Sequence, residues 1–237
     1  MKLCITYVIR CSLFLQILNK IQSQDLDDFA SDTDFGGELT EDDFRNANDP
    51  QYSHKAIGAE FNNDTENLFE GDIIKDVNNA DYDYNYFDDV TTSLDAKWPK
   101  SNNTVIIPYT FPSLVSPQDK ADIAHAISEF HEKTCIRFQK RQDELDWIHI
   151  NTRRWGCRSY VGRKRGQQVI TAGACLDPRT GGSWGKLLHE FMHAIGFVHE
   201  HTRPDRDDWV TIIRENIMVC TIYSSISFYP NYKKYKV

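Results

Sequence analysis

The sequence predicts an α+β fold, in which a twisted mixed sheet is combined with two long helices and preceded by a largely irregular acidic segment. Three observations support this prediction. Strand-like and helix-like patterns follow residue 97 in the order strand, helix, strands, helix. Residues 25–96 contain 21 Asp and Glu against three basic residues and show little periodicity. Residues 97–237 contain 21 Lys and Arg against 14 acids, so the two parts should attract each other.

The first 24 residues have the composition of a secretory signal. Lys2 precedes the apolar runs Leu3–Ile9 and Cys11–Leu18, and the polar stretch IQSQ follows. Because Arg10 interrupts the apolar region, an uncleaved, membrane-associated or simply apolar N-terminus is the alternative. No later stretch has the apolar length of a membrane span. We therefore expect residues 1–24 to be a signal peptide and the protein to be secreted and extracellular.

Local signals place the first helix and the strands around it. Ser116 is a hydroxyl N-cap, Pro117 suits the first helical position, and apolar residues recur on one face as far as Lys133. Four runs have the composition of strands: Val105–Phe111, Cys135–Gln139, Asp146–Asn151 and Gln167–Ala172.

A basic turn is predicted between Ser159–Val161 and Gln167–Val169. The sequence Gly162-Arg163-Lys164-Arg165-Gly166 has the form of a hairpin tip. A solvated turn is the favoured interpretation, and contact with an anion is the alternative. No feature of the sequence indicates nucleic-acid binding.

The second helix should begin near Ser183 and end at Gly196, and it carries a metal-binding pattern. His189 and His193 are four residues apart, so both imidazoles project from one face. Gly196 allows a sharp turn that can return His199 to the same point. Three neutral imidazoles leave one position of a tetrahedral Zn²⁺ open for water. Glu190 lies where it can take a proton from that water as a general base.

This pattern, H-E-x-x-H-x-x-G-x-x-H, resembles that of the metzincin metallopeptidases. Its continuation, HEHTRPDRDD over residues 199–208, is similar to the astacin family. So are four further segments: Ile107-Pro108-Tyr109, Glu132–Phe138, Gly156–Gly162 and Glu215-Asn216-Ile217. The resemblance runs from about Trp98 to Ile217 and implies a metzincin-like N-terminal subdomain.

The resemblance also implies roles for individual residues. His189, His193 and His199 correspond to zinc ligands, and Glu190 corresponds to the catalytic base. Glu200 corresponds to the buried acid that meets the new N-terminus of mature family members. Cys157 and Cys175 correspond to the family's short internal disulfide. Arg158 corresponds to a residue that lines the substrate pocket, and an exposed arginine without a role is the alternative.

The acidic segment contains one apolar stretch, Leu68–Ile74. Within it, Phe69-Glu70-Gly71-Asp72 resembles the F-x-G-D motif of astacin prosegments, whose aspartate binds the zinc and displaces the water. We therefore expect residues 25–96 to be a prosegment, Asp72 to be the latency ligand and an activating protease to be a partner. A hydrophobic stub in a disordered segment is the alternative.

The resemblance ends after Ile217. We expect residues 97–237 to be a catalytic domain that lacks its C-terminal subdomain, because no S-x-M-x-Y turn follows and the tail from residue 218 diverges. Residues alone leave three pairings open for Cys135, Cys157, Cys175 and Cys220. The sequence thus predicts a zinc endopeptidase made as a zymogen and acting on protein or peptide substrates. A non-catalytic zinc-binding fragment or inactive isoform is the alternative.

Overall fold

The computed structural model describes residues 34–49, 68–75, 94–180, 183–203 and 205–213. The chain divides into two compact units, Met1–Phe35 and Gly36–Val237, and the elements below belong to the second. The predicted signal peptide and the tail from residue 218 lie outside the described residues. Within the described ranges, no helix is long and apolar enough to cross a membrane.

The described elements include four helices and seven strands. In chain order they are α1 (Glu41–Asn46), β1 (Leu68–Phe69), β2 (Ile73–Ile74), β3 (Lys100–Ser101), β4 (Thr104–Thr110), α2 (Pro117–Lys133), β5 (Ile136–Lys140), β6 (Trp147–Asn151), β7 (Gln167–Thr171), α3 (Gly173–Leu176) and α4 (Trp184–Ile195). Short 3₁₀ turns occupy Leu94–Ala96, Pro178–Thr180, Glu200–Thr202 and Arg206–Asp208.

The main sheet is mixed, as the sequence predicts. β4 pairs in parallel with β5 and with β6, and β6 pairs in parallel with β7. β3 adds an antiparallel hairpin to the start of β4. Asn102 and Asn103 form its turn with φ of 49° and 63°, a left-handed conformation that Asn adopts more readily than most residues. The strand runs differ from their predicted bounds by about one residue.

The two long helices begin and end where local signals predict. The Ser116 side chain accepts a hydrogen bond from the backbone N–H of Asp119, and Pro117 occupies the first turn of α2. At the other end of α2, the hydroxyl of Thr134 donates to the carbonyl of Phe130. Ser183 precedes α4, and Gly196 ends it with φ of 118°.

An aromatic group joins α2, α4 and the sheet. Phe191 on α4 is fully buried, and its ring centroid lies 4.6 Å from that of Phe138 on β5 and 6.2 Å from that of Phe130 on α2. Apolar residues from the same elements complete this core, including Ile107, Ile123, Ile127, Ile148, Ile150 and Leu187. Since α4 carries the histidines on another face, this core fixes where they lie.

The acidic segment forms short regular elements within its described residues. α1 begins with a reciprocal cap between Thr40 and Asp43, and the carbonyl of Ala47 lies 2.6 Å from His125 Nδ1 on α2. β1 and β2 form a hairpin. Contacts with the following domain supplement the weak local preferences of these residues, whereas the prediction that residues 25–96 are largely irregular stays a prediction.

The predicted basic hairpin, in which Ser159–Val161 would pair with Gln167–Val169, is not the pairing that the structure has. Ser159 forms a parallel bridge with Ile73 of the acidic segment, and only Arg158 bridges to β7, at Thr171. At the turn itself, Arg163 donates to Asp146 at 2.8 Å and both side chains are largely buried. The first cation of the turn therefore has a structural role, which argues against the anion-contact alternative.

Candidate metal centre

The C-terminal half of α4 is held by contacts from three directions. The indole N–H of Trp98 donates to the carbonyl of Ala194 at 2.9 Å. The backbone N–H of Gly162 donates to the carbonyl of His193 at 2.8 Å. The N–H of Phe197 donates to the carbonyl of Met192 at 3.0 Å. Because helix ends leave carbonyls without intrahelical partners, these contacts satisfy them and fix the helix end.

Three imidazoles converge beyond this helix end. The Nε2 atom of His189 lies 3.0 Å from that of His193 and 3.2 Å from that of His199. His193 is buried, His199 is 10% exposed and the His189 ring is 47% exposed. The sharp turn at Gly196 therefore brings the third ring to the first two, as the spacing predicts.

A carboxylate completes the group. The Oδ atoms of Asp72 lie 3.2 Å from His189 Nε2, 3.7 Å from His193 Nε2 and 3.1 Å from His199 Nε2. Ligands bound tetrahedrally at 2.0–2.1 Å from Zn²⁺ are separated by about 3.3 Å. The measured separations cluster around this value, and three nitrogens with one oxygen is a donor set that zinc accepts. The residues present therefore fit a zinc ion.

Two of the rings have partners that set which nitrogen carries hydrogen. His193 Nδ1 lies 2.7 Å from the carbonyl oxygen of Phe197, and His199 Nδ1 lies 2.7 Å from Glu70 Oε2. Both oxygens are acceptors, so each Nδ1 donates, and each Nε2 offers its lone pair to a metal once it has lost its own hydrogen. Such partners orient ligand rings at metal sites and increase their basicity.

Charges at the site favour a cation. Burial opposes ionisation of Asp72, but hydrogen bonds from His189, His193 and His199 outweigh burial and hold the pKa of this carboxyl well below its usual range. Burial also lowers the pKa of His199, but hydrogen bonds to Asp72 and Glu70 outweigh it and raise that pKa to about 9. The surroundings thus stabilise positive charge where the rings meet.

The hairpin β1–β2 delivers Asp72 by backbone and apolar contacts. The N–H of Ile74 donates to the carbonyl of Ser159 at 2.8 Å, and the N–H of Ser159 donates to the backbone carbonyl of Asp72 at 3.0 Å. Phe69 and Ile73 are buried against Val161. The hairpin therefore docks as an added strand beside the segment that begins at Cys157.

Glu190 lies on α4 beside the first histidine and is buried. Its Oε1 atom lies 3.3 Å from Cys157 Sγ, and Cys157 and Cys175 form a disulfide. The disulfide thus connects the segment after β6 to α3 and borders the carboxylate. Among the described residues, Cys135 is exposed and outside any disulfide, while Cys220 lies outside them.

A family model described as Astacin, a family of peptidases, matches residues 90–228, more than half of the chain. The chain belongs to the astacin family. The resemblance noted in the sequence is confirmed, and the matched range extends past Ile217. The α+β class expected from it is confirmed as well.

Several relatives of this astacin-family chain are known. High choriolytic enzyme 1 of Oryzias latipes is 40% identical over 167 residues, which are 69% of this chain and 56% of that protein. Bone morphogenetic protein 1 of Xenopus laevis is 39% identical over 141 residues, 59% of this chain and 19% of that protein. The chain thus spans about half, or less, of the length of these relatives. The solved structure of high choriolytic enzyme 1, a hatching enzyme zinc-protease, matches with a TM-score of 0.47 and 40% identity, covering 56% of this chain and 65% of that chain.

Two predicted residues of this astacin-family member, Glu200 and Arg158, are not among the four side chains that converge. The resemblance implies a buried Glu200, but its side chain is 62% exposed and accepts from Arg203 at 2.9 Å. Arg203 pairs with this carboxylate at the surface of the uncut chain, and the predicted partnership of Glu200 with a new N-terminus concerns the mature form and stays a prediction. Arg158 is half-buried, and its guanidinium lies against Gly156, next to the disulfide.

Sequence reasoning missed one residue of the site, Glu70. Nothing in its local sequence links it to His199, which is 129 residues away. The available signal was its place inside Phe69–Asp72, next to the aspartate assigned to the metal.

Proposed function

We propose that the chain is the latent form of a secreted zinc endopeptidase. His189, His193 and His199 would hold Zn²⁺, and Asp72 would occupy the fourth position. The observation that supports this most strongly is the convergence of these four side chains at separations matching a tetrahedral zinc ion.

Latency follows from the position of Asp72. Its carboxylate takes the place that a water molecule needs, and the hairpin carrying it pairs with Ser159. An extended substrate would compete for the same backbone groups, because strand addition is the common way in which extended peptides bind an edge. The prosegment would therefore block both the water and the substrate until an activating protease separates it from the domain.

Once the prosegment leaves, Glu190 is the residue that would act as the base. Held by the three histidines, zinc would supply a Lewis acid that lowers the pKa of a water toward 7. Glu190 is adjacent to His189 on α4 and would accept a proton from the attacking water and return it to the amine nitrogen that leaves when the C–N bond breaks. The contact with Cys157 restricts the carboxylate to one side of the site. Arg158 follows Cys157 and would favour an acidic side chain beyond the cleaved bond.

The test uses the full chain with a recognition sequence for a site-specific protease inserted within residues 76–93. The zinc-loaded chain should show little hydrolysis of a denatured protein before the cut and clear hydrolysis after it. Glu190→Ala should retain zinc and lose hydrolysis, because the ligands are intact and the base is absent.

Two results would oppose this proposal. Absence of stoichiometric zinc would exclude the metal site. Stoichiometric zinc without hydrolysis after the cut would favour the alternative, a non-catalytic zinc-binding fragment of this family.

A further inference from the structure

Glu70 makes a contact that the proposed catalytic and latency roles leave unexplained. Its Oε2 atom lies 2.7 Å from Nδ1 of His199, and both side chains are 10% exposed. A buried carboxylate at this distance receives a strong hydrogen bond from an imidazole N–H. The contact joins the prosegment to a ring whose other nitrogen faces Asp72.

The backbone at Glu70 has a conformation that a side chain disfavours. Its φ of 53° lies in the left-handed region, which is unfavourable for a residue that carries a Cβ. Glycine would remove this strain, and the next residue, Gly71, has φ of 102°. The contact with His199 can offset the cost of this strained conformation.

The groups that accept a hydrogen bond from Nδ1 of His193 and of His199 belong to different parts of the chain. His193 is oriented by the carbonyl of Phe197, which belongs to the same turn and stays with the domain. The carboxylate that meets His199 Nδ1 belongs to the prosegment and leaves with it. The negative charges at the site also come from the prosegment, because Asp72 and Glu70 together balance the two positive charges of a zinc ion in a largely buried site.

We propose that Glu70 is a positioning residue that orients His199 toward the metal and couples docking of the prosegment to metal binding. The inference rests on the proposed function, since it requires the three histidines to bind zinc. Coupling is reciprocal, so the docked prosegment tightens zinc binding and zinc tightens the docked prosegment to the same extent. Removal of the prosegment then weakens the hold on the metal as well as opening the site.

The test measures Zn²⁺ affinity of the full chain by competition with a chromophoric chelator. Glu70→Ala should weaken affinity by about 10–100-fold, the usual effect of losing a partner of a ligand ring. Glu70→Gln should have a smaller effect, because its amide oxygen can still accept the hydrogen bond. Glu41→Gln, an exposed acid of α1 in the same prosegment, is the matched control and should leave affinity unchanged.

A second variant separates positioning from general stability. Glu70→Gly removes the backbone strain and the carboxylate together, so the zinc-free chain should resist urea at least as well as Glu70→Ala. Its zinc affinity should nevertheless fall like that of Glu70→Ala. In ¹H–¹⁵N spectra of the zinc-loaded chain, the Nδ1–H signal of His199 should shift in the Glu70 variants alone.

The outcomes distinguish this inference from the proposed function. If the wild-type chain binds no zinc, the proposed function fails first. If it binds one zinc and Glu70→Ala remains within about twofold of Glu41→Gln, too small a change for a lost ligand partner, the positioning role is excluded while the proposed function stands.

Discussion

Replacing Phe191 by alanine tests whether the aromatic core holds the metal-binding helix in place. The ring is fully buried and packs against Phe138 and Phe130. Loss of such a ring removes its transfer free energy and leaves a cavity, which together cost about 3–5 kcal/mol. For a chain of this size, each kcal/mol lowers Tm by about 2–4 °C, so the expected decrease is roughly 6–20 °C.

The assay is urea and thermal unfolding of the full chain, with zinc and with chelator. Zinc at 100 times its Kd should return about 2.7 kcal/mol to wild type and to the variant alike, because Phe191 lies on a different face of α4 from the histidines. Leu188→Ala on the same helix is the control, and its half-buried side chain should cost less than that of Phe191. A loss below about 1 kcal/mol for Phe191→Ala would refute this packing argument.

Three further predictions concern the prosegment, helix α4 and pH. Asp72→Asn in the uncut, zinc-loaded chain should raise basal hydrolysis of a short peptide about tenfold, equivalent to 1.4 kcal/mol of lost docking, and unchanged hydrolysis would argue against Asp72 as the latency ligand. Gly37→Ala should loosen the acidic segment, measured as faster limited proteolysis, because a Cβ there would lie 2.2 Å from the ring of Phe111. Gly185→Ala, with no contact closer than 3.6 Å, should instead stabilise α4 by up to about 1 kcal/mol in urea unfolding, and equal effects of the two changes would contradict both assignments. Burial and the charge of Arg137 lower the pKa of His131, whose Nε2 accepts from a backbone N–H, so its stabilisation should be complete above pH 6.5 and decline as pH falls through the lowered pKa. His131→Gln should flatten this decline in urea midpoints between pH 7.5 and 5, and an unchanged slope would show that other groups cause it.

The sequence predicts best those features whose determinants lie close together along the chain. His189 and His193 are one helical turn apart, and Gly196 supplies the reversal that brings in His199, so local geometry alone places the three rings together. The bounds of α2 and α4 follow from caps that are read over a few residues. Both features are confirmed in position by the structure.

Contacts between residues that are far apart along the chain could not be predicted from local sequence signals. Alternation shows that Ser159 lies in an extended segment, but it does not show that Ile73, rather than a neighbouring strand, pairs with it. The contact of Glu70 with His199 spans 129 residues. The ion pair between Glu200 and Arg203 at the surface of the uncut chain could not be inferred from correspondence with mature relatives.

Helix α1 combines a local feature that the sequence signals with a distant contact that it does not. Its cap, Thr40 with Asp43, is a local signal that the acidic composition obscured. The contact between Ala47 and His125 is non-local and could not be anticipated. Composition alone therefore does not reveal the short regular elements that contacts with the rest of the chain stabilise in this segment.

X-ray absorption at the zinc edge of the loaded, uncut full chain tests the metal centre most directly. The geometry predicts one zinc per chain with three imidazole nitrogens and one carboxylate oxygen at about 2.0–2.1 Å, and replacement of that carboxylate by water in Asp72→Ala. Fewer than three imidazole ligands, or an unchanged spectrum in Asp72→Ala, would contradict the assignment of His189, His193, His199 and Asp72 to one zinc site.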